Sequence, residues 1–242
     1  VYYMNNTLRR NSIGDPMSSA LMIVHIAAGS TALAAGGLAG FARKSAGGLH
    51  AKAGTAFAAA MLVMTATGAL IGFLKPERGS AMIGVLTFYL VATSWMTARD
   101  RTATAGCFEW TALPVALASG AALLTMGLVA SQSVSGRFDS LPAAPHYFFA
   151  GLAFLAVSLD LNFILRRRLD ATARLRRHLW RMSVALFIAA SSFFLGQQDE
   201  FPKWAQGTPS LYLPPLGAVL LMAWWLVKLS RTKRAASARA EG

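Results

Sequence analysis

Four histidines and one aspartate are the residues here whose type and setting could do chemistry: His25, His50, His146, His178 and Asp160. All five fall in or beside long apolar runs, where an ionisable group is costly and is by default a functional-site hypothesis. Neutral imidazole ligates haem iron, and two such groups from different helices can hold a b-type haem. His50 and His178 each follow a basic stretch and open an apolar run, which predicts a common depth. Gly47, Gly48 and Gly54 near His50 would relieve crowding against a macrocycle. The plainer reading is that a histidine at a helix entrance meets headgroups or caps the helix.

His25 is predicted to lie about 10 Å inside the first apolar run, from a rise of about 1.5 Å per residue. Ala28, Gly29, Ala32, Gly36 and Gly40 share its helical face. Small residues let a second helix, or a flat cofactor, approach closely. A packing seam with one satisfied histidine explains the face as well. His146 opens the fifth run from the opposite side to His50. Paired with His25 it would make a second haem site and a route for transmembrane electron transfer. A depth mismatch of roughly 10 Å works against that pairing.

Asp160 shares a stripe with His146 through Ala150, Ala153 and Val157, and Arg181 in the next run comes at nearly its depth. Two readings follow. Asp160 and Arg181 form an ion pair across the hairpin, as charges in this setting usually do. Alternatively Asp160 relays protons, which requires a raised pKa and no such partner. Met61 and Met64 suggest a thioether copper pair, although ten methionines make coincidence the simpler account. Gln197, Gln198, Asp199 and Glu200 read as an outer cation site or as a solvated helix end. No phosphate-binding glycine loop, HExxH or GxSxG pattern is present, so no catalytic motif is named.

The elements that must position these groups are apolar runs near 18–41, 52–74, 79–97, 110–131, 146–165, 179–197 and 211–229. Runs of about 20 apolar residues match the hydrocarbon thickness of a bilayer. Lipid offers no hydrogen-bond partners and no two-residue period appears, so the runs are predicted to be helices. Only 14% of the 242 residues are charged against 55% hydrophobic, and a soluble domain carries about a quarter charged.

Charge gives the orientation. The first, third and fifth loops hold Arg43, Lys44 and Lys52, then Arg99 and Arg101, then Arg166, Arg167, Arg168, Arg174, Arg176, Arg177 and Arg181. The C-terminal tail adds Lys228, Arg231, Lys233, Arg234 and Arg239. The other side has only Arg9, Arg10, Lys75, Arg78, Arg137 and Lys203. Short basic loops mark the cytoplasmic face, which predicts seven spans with the N-terminus outside. Trp95, Trp110, Trp180, Trp224 and Trp225 fall at the same helix ends, and Trp204 alone at the outer ones. The net charge of +13 is thus explained by membrane topology and anionic headgroups, without nucleic acid. Cys107 is the only cysteine, which excludes an intrachain disulfide framework and a thiolate metal cluster.

Gly47-Gly48-Leu49-His50 through Gly54, and Arg177-His178-Leu179-Trp180-Arg181-Met182, resemble segments of a bacterial family of multi-pass membrane proteins of unknown function. An early histidine such as His25 fits that family. Ala51 departs from it, standing where its members often carry a basic residue. The resemblance covers most of the first six runs and implies a membrane bundle in which these histidines matter. It implies no activity.

The expected organisation is a polar, disordered tail over 1–16, an all-α transmembrane bundle over 17–230, and a basic cytoplasmic tail over 231–242. A cleaved export signal behind Arg9 and Arg10, and a start at Met17, are alternatives for the first segment. The expected location is the bacterial cytoplasmic (inner) membrane. The leading expectation for function is a haem b electron-transfer protein with a quinone or another redox partner. The alternatives are a small-solute or proton-coupled transporter using Asp160 and His146, and an accessory subunit whose small-residue faces bind a partner membrane subunit.

Overall fold

The computed structural model describes residues 16–44, 47–100, 102 and 104–241, with 16, 18 and 232–241 as backbone only. Among them are seven long helices: α1 Pro16–Phe41, α2 Leu49–Leu74, α3 Arg78–Arg99, α4 Cys107–Gln132, α5 Ala143–Arg166, α6 Ala171–Phe194 and α7 Leu213–Glu241. Six are long and apolar enough to cross a membrane, and α6 is the exception. The protein is an all-α, multi-pass membrane bundle. Residues 1–15, which hold most of the expected N-terminal tail, lie outside the described residues.

Local chemistry sets the helix ends. Pro16 opens α1, where its missing N–H costs nothing. Lys44 closes it by donating to the carbonyls of Ala39 at 2.8 Å and Gly40 at 3.1 Å. These are among the last carbonyls, left without helical partners. Arg167 ends α5 in the left-handed conformation, with φ 60°. A two-stranded hairpin, Arg137–Phe138 against Leu141–Pro142, joins α4 to α5.

The loops fix the two ends of the bundle. The α3–α4 and α5–α6 loops meet through Ala105 N–H donating to Arg167 O at 2.9 Å. The α2–α3 and α4–α5 connections meet where the Arg78 N–H donates to the Asp139 carboxylate at 2.7 Å. The first of these is the basic end.

Helix α3 is central and packs against α2, α4 and α6. Small residues allow the close approaches: a Cβ on Gly72 would lie 2.9 Å from Ala81, and one on Gly36 would lie 2.8 Å from Phe57 and Leu186. Van der Waals fit of this kind holds helices together where lipid is as apolar as the side chains. One cluster gathers Leu86, Tyr89, Leu90, Leu123, Ala153 and Ile188; another gathers Ala32, Phe57, Met61, Val91 and Ala185.

Two boundaries differ from the sequence reading. The helix expected over 179–197 begins at Ala171, so Arg174, Arg176 and Arg177 are helical and not in a loop. Asp170 caps its start by accepting the Ala173 N–H at 2.7 Å. Its arginine-bearing face turns inward, where polar partners wait. At the other end α7 continues through 231–241, the stretch expected as a tail.

Candidate functional site

Asp160 on α5 is fully buried, and two guanidiniums from α6 share one of its oxygens. Arg177 Nη2 donates to Oδ1 at 3.1 Å, and Arg181 Nη2 donates to the same atom. The hydroxyl of Tyr89, on α3, donates to Oδ2. Spacing puts Arg177 and Arg181 on one face, because residues four apart are helix neighbours. That face continues through the buried Ala185, Ile188 and Ala189.

Helix α3 completes the cluster with Tyr89, Thr93 and Thr97, again at intervals of four. The hydroxyl of Thr93 donates to Tyr89 O and that of Thr97 to Thr93 O, each at 2.7 Å. Their protons are thus committed, and their oxygens present lone pairs. Arg181 Nη1 donates to Thr93 Oγ1 and Arg177 Nη1 to Thr97 Oγ1. Phe163 lies 4.9 Å from the Arg177 guanidinium, and Tyr89 and Trp180 flank Arg181 at 5.3 and 5.1 Å. Aromatic faces are good neighbours for a buried cation.

Electrostatically the cluster is incomplete. Two cations meet one carboxylate, which leaves one positive charge uncompensated in a low-dielectric interior. Arg181 Nε is also buried without a hydrogen-bond partner among the described residues.

A cavity of about 260 Å³ reaches this cluster from the basic end. Thr97, Asp100, Cys107, Glu109, Phe163 and Arg177 are among its walls. Glu109 is buried at 8% exposure in the first turn of α4. One of its oxygens accepts the Gly106 N–H at 2.9 Å, and among the described residues it joins no ion pair. Asp100 sits in the loop beyond α3, where the Thr102 hydroxyl and N–H hold its carboxyl below the usual carboxylate range.

The histidines are distributed around the bundle. His25 Nδ1 lies 2.9 Å from Met64 O and 3.3 Å from the Thr67 hydroxyl, binding α1 to α2. His50 Nδ1 lies 2.9 Å from Ala39 O and 3.2 Å from Lys44 Nζ. His178 faces α3, its Nδ1 3.1 Å from the Ser94 hydroxyl. His146 is fully buried, with Nδ1 2.9 Å from Pro142 O and Phe138 edge-on at 6.0 Å. Among the described residues its Nε2 has no hydrogen-bond partner, and it is turned onto Gly79.

Of the residues singled out in the sequence, the structure joins Asp160 to Arg181. His25 and His146 contact different helices, and their rings do not meet. No hydrogen bond joins His50 to His178; His50 is held on Ala39 and Lys44, and His178 on Ser94. Arg177, Tyr89, Thr93, Thr97 and Glu109 belong to the site and were not singled out. The signal for three of them was the four-residue spacing of Tyr89, Thr93 and Thr97 within one apolar run. No family model, curated protein or solved structure matches the chain.

Proposed function

We propose that this protein is a small-solute transporter whose switch is the Asp160–Arg177–Arg181 cluster, in a bacterial inner membrane with the basic end cytoplasmic. One observation carries the reading: a buried, charge-unbalanced ion-pair network stands at the floor of a cavity that opens at one end of the bundle. Intramembrane charges mark solute and proton pathways when they face a cavity. A carboxylate shared by two guanidiniums has two discrete pairings, and exchange between them is the kind of bistable event that alternating access requires.

Purified protein in liposomes loaded with a pH-sensitive dye tests this. Pools of small carboxylates, amines and amino acids are expected to include one that drives a saturable signal. Asp160→Asn should abolish that signal while the protein stays monodisperse. Absence of any solute-driven signal, or full activity in the variant, overturns the reading.

A second reading, haem-mediated electron transfer through His50 and His178, rests on how the rings are held. Metal-ligating histidines usually anchor one ring nitrogen on a carbonyl or similar acceptor, leaving the other for iron. His50 Nδ1 is so placed on Ala39 O, and His178 Nδ1 beside Ser94. His146 Nδ1 is likewise held on Pro142 O, and its Nε2 faces Gly79. A Soret band lost in the His50→Ala, His178→Ala double variant would establish the haem reading, and no Soret band in protein from haem-replete cells would end it.

A further inference from the structure

One cavity in this protein is lined by buried groups of opposite sign that do not neutralise each other. On one wall stands Arg177, 7% exposed, the outermost member of a cluster carrying two cations and one anion. On another stands Glu109, 8% exposed, which joins no ion pair among the described residues. Its hydrogen bond to the Gly106 N–H uses one carboxylate oxygen, and among the described residues the other has no hydrogen-bond partner. Asp100 also borders the space; its Oδ1 accepts the Thr102 N–H at 2.8 Å and hydroxyl at 2.7 Å, and its negative charge adds to that of Glu109.

The rest of the lining is largely apolar, with Met96, Phe108, Phe163 and Leu169. A buried charge left facing an apolar space is costly, and a ligand bearing the opposite charge removes that cost. A plain anion would suit Arg177 and be repelled by Glu109; a plain cation would meet the reverse. A zwitterion satisfies both. The volume of about 260 Å³ falls below the ~300–1,000 Å³ of drug-sized pockets, which limits the guest to a small molecule.

We infer that the cavity between Arg177 and Glu109 binds a small zwitterion with an apolar body, of the amino-acid type, its carboxylate on Arg177 and its ammonium on Glu109. The inference rests on the transport reading and gives it a substrate class. A guest carboxylate on Arg177 supplies the missing negative charge. It leaves Asp160 paired with Arg181, so occupancy of the cavity and the state of the buried network become one event.

The test is thermal unfolding of the purified chain with three probes that share one isobutyl body. Leucine carries both charges, 4-methylpentanoate lacks the ammonium, and isoamylamine lacks the carboxylate. Leucine is expected to raise the unfolding midpoint and the other two to leave it unchanged. Glu109→Gln keeps an oxygen for the Gly106 N–H and removes the charge, so it should fold and lose at least tenfold in leucine affinity. Arg177→Lys should weaken leucine as well. A shift with 4-methylpentanoate equal to that with leucine, a leucine shift indifferent to Glu109→Gln, or no shift with leucine overturns the inference. The liposome assay separates the two levels: flux of some other solute that still needs Asp160 keeps the transporter and discards the zwitterion, and absence of all flux discards both.

Discussion

His146 Nε2 is turned onto the backbone of Gly79 so closely that a Cβ there would stand 2.6 Å from it. Real contacts are never that short, and the ring cannot retreat without giving up the Pro142 carbonyl at 2.9 Å. Gly79→Ala should therefore destabilise the protein by about 1–3 kcal/mol, as overpacking of a tight interior does. Thermal unfolding in detergent reads the loss. His146→Ala in the same chain should recover part of it, and strictly additive losses would show that the two residues do not press on each other.

Removal of Asp160 should be worse than removal of either arginine. Asp160→Ala strands two buried guanidiniums and should cost about 3–5 kcal/mol or prevent folding. Arg181→Met keeps much of the volume and leaves Asp160 paired with Arg177, so its loss should be smaller. Unfolding midpoints of the two variants decide this. Equal losses would mean that Arg177 does not hold Asp160 by itself.

The two ends of the bundle should differ in reach. Cys107 begins α4 at the basic end and is exposed. Ser135 is exposed in the turn after α4, at the opposite end. A membrane-impermeant maleimide should label Cys107 only in inverted inner-membrane vesicles. A Ser135→Cys substitution made with Cys107→Ser should take the label from the outside of intact cells whose outer membrane has been permeabilised. The reverse pattern would invert the orientation read from basic residues.

The Asp100 turn should loosen at low pH. Its carboxyl titrates below its ordinary value because Thr102 favours the charged form. A depressed folded-state pKa contributes stability that is fully present above the unfolded value and is lost as pH falls through the folded one. Hydrogen exchange at the Thr102 amide should thus gain its extra opening only below the ordinary aspartate range. Asp100→Asn should lower protection at neutral pH. Protection unchanged from neutral to strongly acidic conditions would refute the linkage.

Most of the architecture was legible because lipid imposes so few options. Apolar runs predicted near 52–74, 110–131 and 146–165 lie inside α2, α4 and α5. The start of α6 was not legible from hydropathy, which scores arginine as a loop residue whatever its neighbours. The inward face of this helix becomes visible only when Arg177, Arg181, Ala185 and Ile188 are read at helical spacing. The site was half legible. Depth matched Asp160 with Arg181, whereas Arg177 looked like one more loop cation. Glu109 could not be found from composition, since its place beside the cavity depends on how α4 meets α3 and α5.

An α6 segment bearing Arg174, Arg176, Arg177 and Arg181 has little reason to leave the aqueous channel of a translocon alone, since arginine at mid-bilayer costs about 2.5–3.5 kcal/mol on the insertion scale. Its acceptors, Thr93, Thr97 and Asp160, all precede it in the chain. The chain thus lays down the acceptors on α3 and α5 before the segment whose guanidiniums they receive, so the polar partners of Arg177 and Arg181 are never later in the sequence than α6 itself.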